Sequence, residues 1–196
     1  MTLGFALIIN SILLGVGLAM DAFSVSMANG LNNPKMKVNQ MTGIAGVYAF
    51  FQIAMPLIGW ICIHTVVEYF KAFEKLIPWI ALILLAYIGG KMLLEGIKGG
   101  DDEEEDKSVL SLSTLIVQGI ATSIDALSVG FTIADYSFIP ALIAALIIGV
   151  VTFFICMGGL QIGKTFGNKL AGKASILGGV ILIGIGLEIF IKGMFF

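Results

Sequence analysis

Six long apolar runs divide the chain, roughly Leu3–Ala28, Met41–Ile63, Ile77–Leu94, Val109–Ala134, Phe138–Ile162 and Ala174–Phe195. A helix needs about 20 mostly apolar residues to span a bilayer, and each run reaches or nearly reaches that length. None alternates with the period of two that a barrel strand requires, so the pattern predicts helices. The breaks are equally plain. Asn32-Asn33-Pro34 ends the first run, and Gly99-Gly100 leads into the acidic run Asp101 to Asp106. Pro78 and Pro140 sit near helix starts, where the missing N–H does no harm.

Within this apolar background one phrase occurs twice. Asp21-Ala22-Phe23-Ser24-Val25 returns as Asp125-Ala126-Leu127-Ser128-Val129, an offset of 104 residues. The same offset pairs Phe50 with Phe154 and Gly59 with Gly163. Each half holds three runs, an odd number, so the halves cross the membrane in opposite senses. A pseudo-two-fold axis in the membrane plane relates such halves. The expected architecture is therefore an all-α membrane protein with six transmembrane helices in two inverted three-helix repeats. Residues 1–98 form the first repeat, 99–108 an acidic cytoplasmic linker, and 109–196 the second repeat. An axis of this kind turns Asp21 and Asp125 towards one shared site.

Composition agrees. The 196 residues are 58% hydrophobic and 12% charged, against about 25% charged in a soluble domain. Mean hydropathy is +1.03. Glycine takes 25 positions of 196, almost twice the average of about 7%. Small residues recur every fourth position at Ala22, Ser26, Gly30 and at Gly159, Gly163, Gly167, a spacing that lets helix backbones approach closely. The N-terminal run lacks the basic start of a signal peptide and is too long for its apolar core, so it reads as a mature spanning helix. Cys62 and Cys156 both fall in apolar runs and read as packing residues.

All 11 basic residues are lysines, which disfavours bidentate phosphate or nucleic-acid recognition. With the Asn32–Asn39 loop in the cytoplasm, Lys35, Lys37, Lys98, Lys107, Lys164, Lys169 and Lys173 all lie inside, with Lys91 near that face. Only Lys71, Lys75 and Lys192 lie outside, so the lysine bias predicts two extracytoplasmic termini.

An aspartate at membrane depth costs roughly 2.5–3.5 kcal/mol on insertion scales. Bearing that cost twice, in matching halves, points to function. At helical spacing Gly17, Asp21, Ser24 and Ala28 form one small or polar stripe, and Ala121, Asp125, Ser128 and Thr132 form another. Two carboxylates and a divalent cation sum to zero charge, which makes ion binding feasible at low dielectric. Asp21, Asp125, Ser24, Ser128 and Gln52, with Asn29 and backbone carbonyls, offer oxygen ligands for a hard cation such as Mn²⁺, Mg²⁺ or Ca²⁺. Met20 adds a softer neighbour. Bland alternatives accompany each. An aspartate can hydrogen-bond a neighbouring helix, a serine can bond its own i−4 carbonyl, and Gln52 can act as helix glue. Glu188 is a further intramembrane acid near the outer end of the sixth run, where it serves the site or snorkels to the interface. Glu95, Asp135 and the lone His64 read as interfacial. The acidic run reads as a solvated linker, or as a weak collector of cations. No Walker loop is present, so ATP hydrolysis by this chain is not expected.

The doubled Asp phrase, together with Pro56-Leu57-Ile58-Gly59-Trp60, Gly89-Gly90-Lys91-Met92 before the acidic run, and Ile176-Leu177-Gly178-Gly179, resembles the MntP family. These are small bacterial manganese efflux pumps of the wider lysine-exporter superfamily. The resemblance covers nearly the whole chain. It implies export of Mn²⁺ across the bacterial plasma membrane by a multi-pass transporter rather than an enzyme, with Asp21 and Asp125 as the essential acids. Some members carry a glutamate where this chain has Gln52 and an amide where it has Glu188, which implies a helper carboxylate that has moved. No cofactor is expected beyond the transported ion. The expected partners are a divalent metal and the lipid bilayer, with no nucleic acid and with a homo-oligomer left open. Exchange of Mn²⁺ for protons on the two aspartates would drive export.

Two other readings compete. One is export of an amino acid or organic cation, whose carboxylate would need a basic partner at mid-membrane. The other is an intramembrane aspartyl protease, which needs two aspartates sharing a proton. The Gly-x-Gly-Asp and Tyr-Asp phrases of such proteases are absent here.

Overall fold

The computed structural model describes residues 2–65, 77–97, 111–170 and 174–195. Among them the chain is helical apart from short turns, and no strand occurs. Seven helices follow in order: α1 Thr2–Asn32, α2 Val38–Thr65, α3 Ile77–Ile97, α4 Leu112–Thr122, α5 Ile124–Thr132, α6 Phe138–Leu170 and α7 Ala174–Phe195. Among the described residues, three helices are long and apolar enough to cross a membrane, over Gly4–Asn32, Val38–Cys62 and Phe138–Gly167. The pair α4 and α5 makes a fourth if counted as one bent span. In α7 the apolar stretch is shorter, Ile176–Glu188. Several helices outrun their apolar stretches, and α6 continues to Leu170 rather than Ile162. The acidic run Asp101–Asp106, the rest of the predicted linker, and Lys71, Lys75, Lys98, Lys107 and Lys173 lie outside the described residues. So do the side chains of Glu95, Lys169 and Lys192.

One predicted helix is not continuous. The fourth run bends by 46° between Thr122 and Ile124. The hydroxyls there explain it. Thr122 Oγ1 donates to the Gln118 carbonyl at 2.8 Å and Ser123 Oγ donates to that of Gly119 at 2.6 Å. The Ser123 amide turns back to Ile120 O at 3.2 Å. Side chains that bond nearby carbonyls compete with the helical ladder and bend it. The break falls two residues before Asp125.

Each half packs mainly on the other half. α1 lies chiefly on α6, α2 on α6 and on α5, and α3 on α7. Glycine pairs mark the closest crossings: Gly30 with Gly163, Gly59 with Gly130, and Gly89 with Gly179. A Cβ on Gly163 would run into the Met27 carbonyl, and one on Gly59 into that of Leu127. The two small-residue stripes read from the sequence thus meet face to face, with Gly159 against Phe23 and Ser26 and Gly167 against Leu31. These contacts advance together along both chains, so α1 and α6 run parallel. The contacts of α2 with α4 and α5 advance likewise, from Phe51 on Gly119 to Gly59 on Gly130.

Two cross-ties repeat the offset of 104. Lys164 Nζ donates to the Met36 carbonyl in the loop after α1, at 2.7 Å. Trp60 Nε1, 104 residues earlier, donates to the Tyr136 carbonyl in the loop after α5, at 3.0 Å. Phe50 and Phe154, another such pair, both face outwards at 64% and 68% exposure, as lipid-facing side chains do.

Candidate functional site

The candidate site extends outwards from Gln52. This residue is 0% exposed, held between α1 and the break of α4–α5. Its Nε2 donates to two carbonyls, Leu18 O and Thr122 O, each at 3.2 Å. Those two residues are themselves 104 apart, and each lies three residues before an aspartate. Two oxygens 3.2 Å from one nitrogen stand at most twice that apart, 6.4 Å. Helical carbonyls point towards the next turn, which here carries Asp21 on one side and Asp125 on the other. The second group of the amide, Gln52 Oε1, is buried and has no hydrogen-bond partner among the described residues.

An open cleft of about 540 Å³ runs along this region. It is lined by Asn10, Leu13, Leu14, Gly17 and Leu18 of α1 and by Thr132, Ile133 and Tyr136 at the end of α5. Gly17 and Asp21 share a helical face, as do Asp125 and Thr132. Each predicted stripe therefore meets the cleft at one residue, Gly17 on α1 and Thr132 on α5, with Asp21 and Asp125 deeper along the same faces and outside the lining. Asp21 is half-buried and Asp125 is exposed. Asp125 stands in the first turn of α5, where one carboxylate oxygen accepts the Ala126 amide at 2.9 Å. A helix N-terminus favours negative charge.

The remaining predicted residues separate. Ser24 hydroxyl donates to its own i−4 carbonyl, Met20 O, at 3.0 Å. Ser128 is exposed on the stripe of Asp125. Met20 is 54% exposed and lies off the cleft wall. Glu188 is exposed on α7, and no group of three or more His, Cys, Asp or Glu converges among the described residues. Asn29 sits two turns from Asp21 inside a closed network. Its Nδ2 donates to Tyr48 Oη at 2.7 Å and to Gln118 Oε1 at 2.9 Å. Tyr48 Oη donates to Gln118 Oε1 at 2.7 Å, and Gln118 Nε2 donates to Asn29 Oδ1 at 3.3 Å. Sequence reasoning passed over Tyr48 and Gln118. Their signal was a pair of polar groups inside apolar runs. His64 is exposed and stacks on Trp60 with ring centroids 4.1 Å apart, in keeping with its interfacial reading. Cys62 and Cys156 are free, and Cys156 is buried.

A family profile described as "Putative manganese efflux pump" matches residues 35–190. The chain belongs to this MntP family. The match includes Gln52 and Asp125 and begins after Asp21. Relatives match over most of the chain. A Ruminiclostridium cellulolyticum protein is 44% identical over 187 residues, spanning 94% of this chain and 96% of its own length. Proteins of Clostridium botulinum strain Hall and Clostridium perfringens strain 13 are 42% and 40% identical, each over 94% of both chains. All three are named "Putative manganese efflux pump MntP", the second with the suffix 2. The family consists of transporters rather than enzymes. No solved structure matches the chain.

Proposed function

We propose that the chain exports divalent manganese across the bacterial plasma membrane, and that one ion rests between Asp21 and Asp125. The observation that carries this reading is the Gln52 amide, whose two bonds tie together the helix turns that bear the aspartates. The unpartnered Gln52 Oε1 and the helix break at Thr122 add oxygens that suit a hard or borderline cation. The cleft lining contains no basic side chain, which favours a bare cation over an amino acid. Ser24 and Ser128 supply oxygens secondarily, and Glu188, exposed on α7, is a further acid that serves the site or the interface.

The path follows from six spans in two inverted repeats. The opposite directions of α1 and α5, the crossings at Gly59 and Gly163, and the matched ties of Trp60 and Lys164 all support that arrangement. With the lysine-rich Asn32–Asn39 loop inside, both termini are extracytoplasmic and the cleft opens outward. Mn²⁺ entering from the cytoplasm displaces protons from the two carboxylates, the halves rock, and the ion leaves by the cleft.

Uptake of Mn²⁺ into inverted membrane vesicles tests this. Wild type should accumulate the ion, and Asp21→Asn and Asp125→Asn should each reduce uptake to background while remaining folded in the membrane. Normal uptake by either variant would remove the site. Uptake that ignores an imposed pH gradient would remove the proton exchange alone.

A further inference from the structure

We propose that Asn29, Tyr48 and Gln118 are the gate that closes the ion path on the side opposite the cleft. The inference rests on the reading of the aspartates as the ion site and on the offset of 104. Applied to the cleft, that offset carries Leu14 onto Gln118 and Ile133 onto Asn29. It also carries Gly17 onto Ala121 and Thr132 onto Ala28. The cleft thus has a counterpart on the far side of the aspartates, lined by equivalent positions, and the two are in opposite states. Gly17 and Thr132 are exposed on the cleft walls, whereas Ala121 and Ala28 are 2% and 0% exposed. Where Leu14 and Ile133 border the cleft as apolar side chains of one packed cluster, Gln118 and Asn29 are joined directly, and Tyr48 from α2 clasps both.

The closed side carries the Gly30–Gly163 crossing and the Lys164 tie to the loop after α1, as the cleft side carries Gly59–Gly130 and the Trp60 tie, so the two sides differ at the clasp rather than at the crossings. Symmetry-related half-paths that are open and closed in turn are what alternating access requires. The two gates differ in chemistry. Leu14 and Ile133 can only pack, and closure there excludes water without direction. The clasp is a neutral, fully paired network of four hydrogen bonds. Such a network closes in one geometry, and its polar groups pass to water when the half-path opens, so opening leaves no buried group unpaired. The three side chains bind no ion in this state. Each is a positioning residue that sets which side of the aspartates faces water.

Thiol accessibility tests the gate. In a chain carrying Cys62→Ala and Cys156→Ala, a reporter is placed at Ala121→Cys on the closed side, or at Gly17→Cys on the cleft, where a new Cβ meets nothing within 4 Å. The purified full chain is labelled with a polar maleimide in detergent, so both sides meet the reagent. With the clasp intact, Gly17→Cys should react fast and Ala121→Cys slowly. Tyr48→Phe removes two of the four bonds with little change of shape. It should speed Ala121→Cys labelling roughly fivefold or more and slow that of Gly17→Cys. Gln118→Leu gives this side the residue of its counterpart and should act the same way, so the test survives a misfolded Tyr48 variant. Rates unchanged at both reporters, in either variant that elutes as folded protein, would overturn the gate. The readout is access, not transport. If the aspartate variants abolish uptake and the clasp variants leave labelling unchanged, only the gate falls. If labelling responds and the aspartate variants transport normally, only the ion site falls.

Discussion

At the residue scale, the doubled aspartate was plain in the sequence because an acid at membrane depth is costly enough to need a reason. Gln52 was readable only as one of two roles. The structure gives its Nε2 the gluing role and leaves its Oε1 without a partner among the described residues; the ion is the proposed one. No one-dimensional pattern could divide one amide that way, because the division depends on two carbonyls brought together from residues 18 and 122. Gln52→Leu loses both halves. Interhelical hydrogen bonds in membranes are each worth about 0.6 kcal/mol, rarely above about 1.7, so thermal unfolding in detergent should show a loss of roughly 1 kcal/mol. Mn²⁺ uptake should fall far more, by about tenfold or beyond. Ser24 is the contrast. Its hydroxyl already bonds Met20 O, so Ser24→Ala should hold uptake within about twofold of wild type. A loss as large as that of Gln52→Leu would make Ser24 a ligand.

At the element scale, the long apolar runs announced helices with little ambiguity, and small residues at four-residue spacing announced close crossings. Neither said which helices would cross. Gly163 and Gly158 look alike in the sequence, yet a Cβ on the first meets the Met27 backbone and on the second meets nothing within 4 Å. Gly163→Ala should therefore cost about 1–3 kcal/mol, because a carbonyl in a helix cannot move aside as a side chain can. Gly158→Ala should be neutral or stabilising by up to about 1 kcal/mol, through helix propensity. Melting midpoints of the two variants in one detergent decide it, and equal shifts would contradict the crossing. The break at Ser123 was missed for a physical reason. Apolar periodicity does not register a hydroxyl that turns back on its own helix. The adjacent Thr122 and Ser123 were the available signal, and they lie just before Asp125 where the helix bends.

At the scale of the whole molecule, the sequence offset of 104 reappears as matched contacts at Gly59 and Gly163, at Trp60 and Lys164, and at Leu18 and Thr122. The offset was legible in the sequence; which contacts would follow it was not. On the proposed gate, the cleft is open and its counterpart clasped, an asymmetry that would describe a state of the molecule rather than a pattern of residues. The central claim is that Asp21 and Asp125 hold a single ion together. The most direct measurement is Mn²⁺ binding to purified wild type, Asp21→Asn, Asp125→Asn and the double variant by calorimetric titration. A shared site predicts one ion per chain, a loss of about 100-fold or more in affinity for each single variant, and a double variant hardly weaker than either. Wild-type affinity in either single variant, or losses that simply add, would mean that the two carboxylates act apart and would contradict the account.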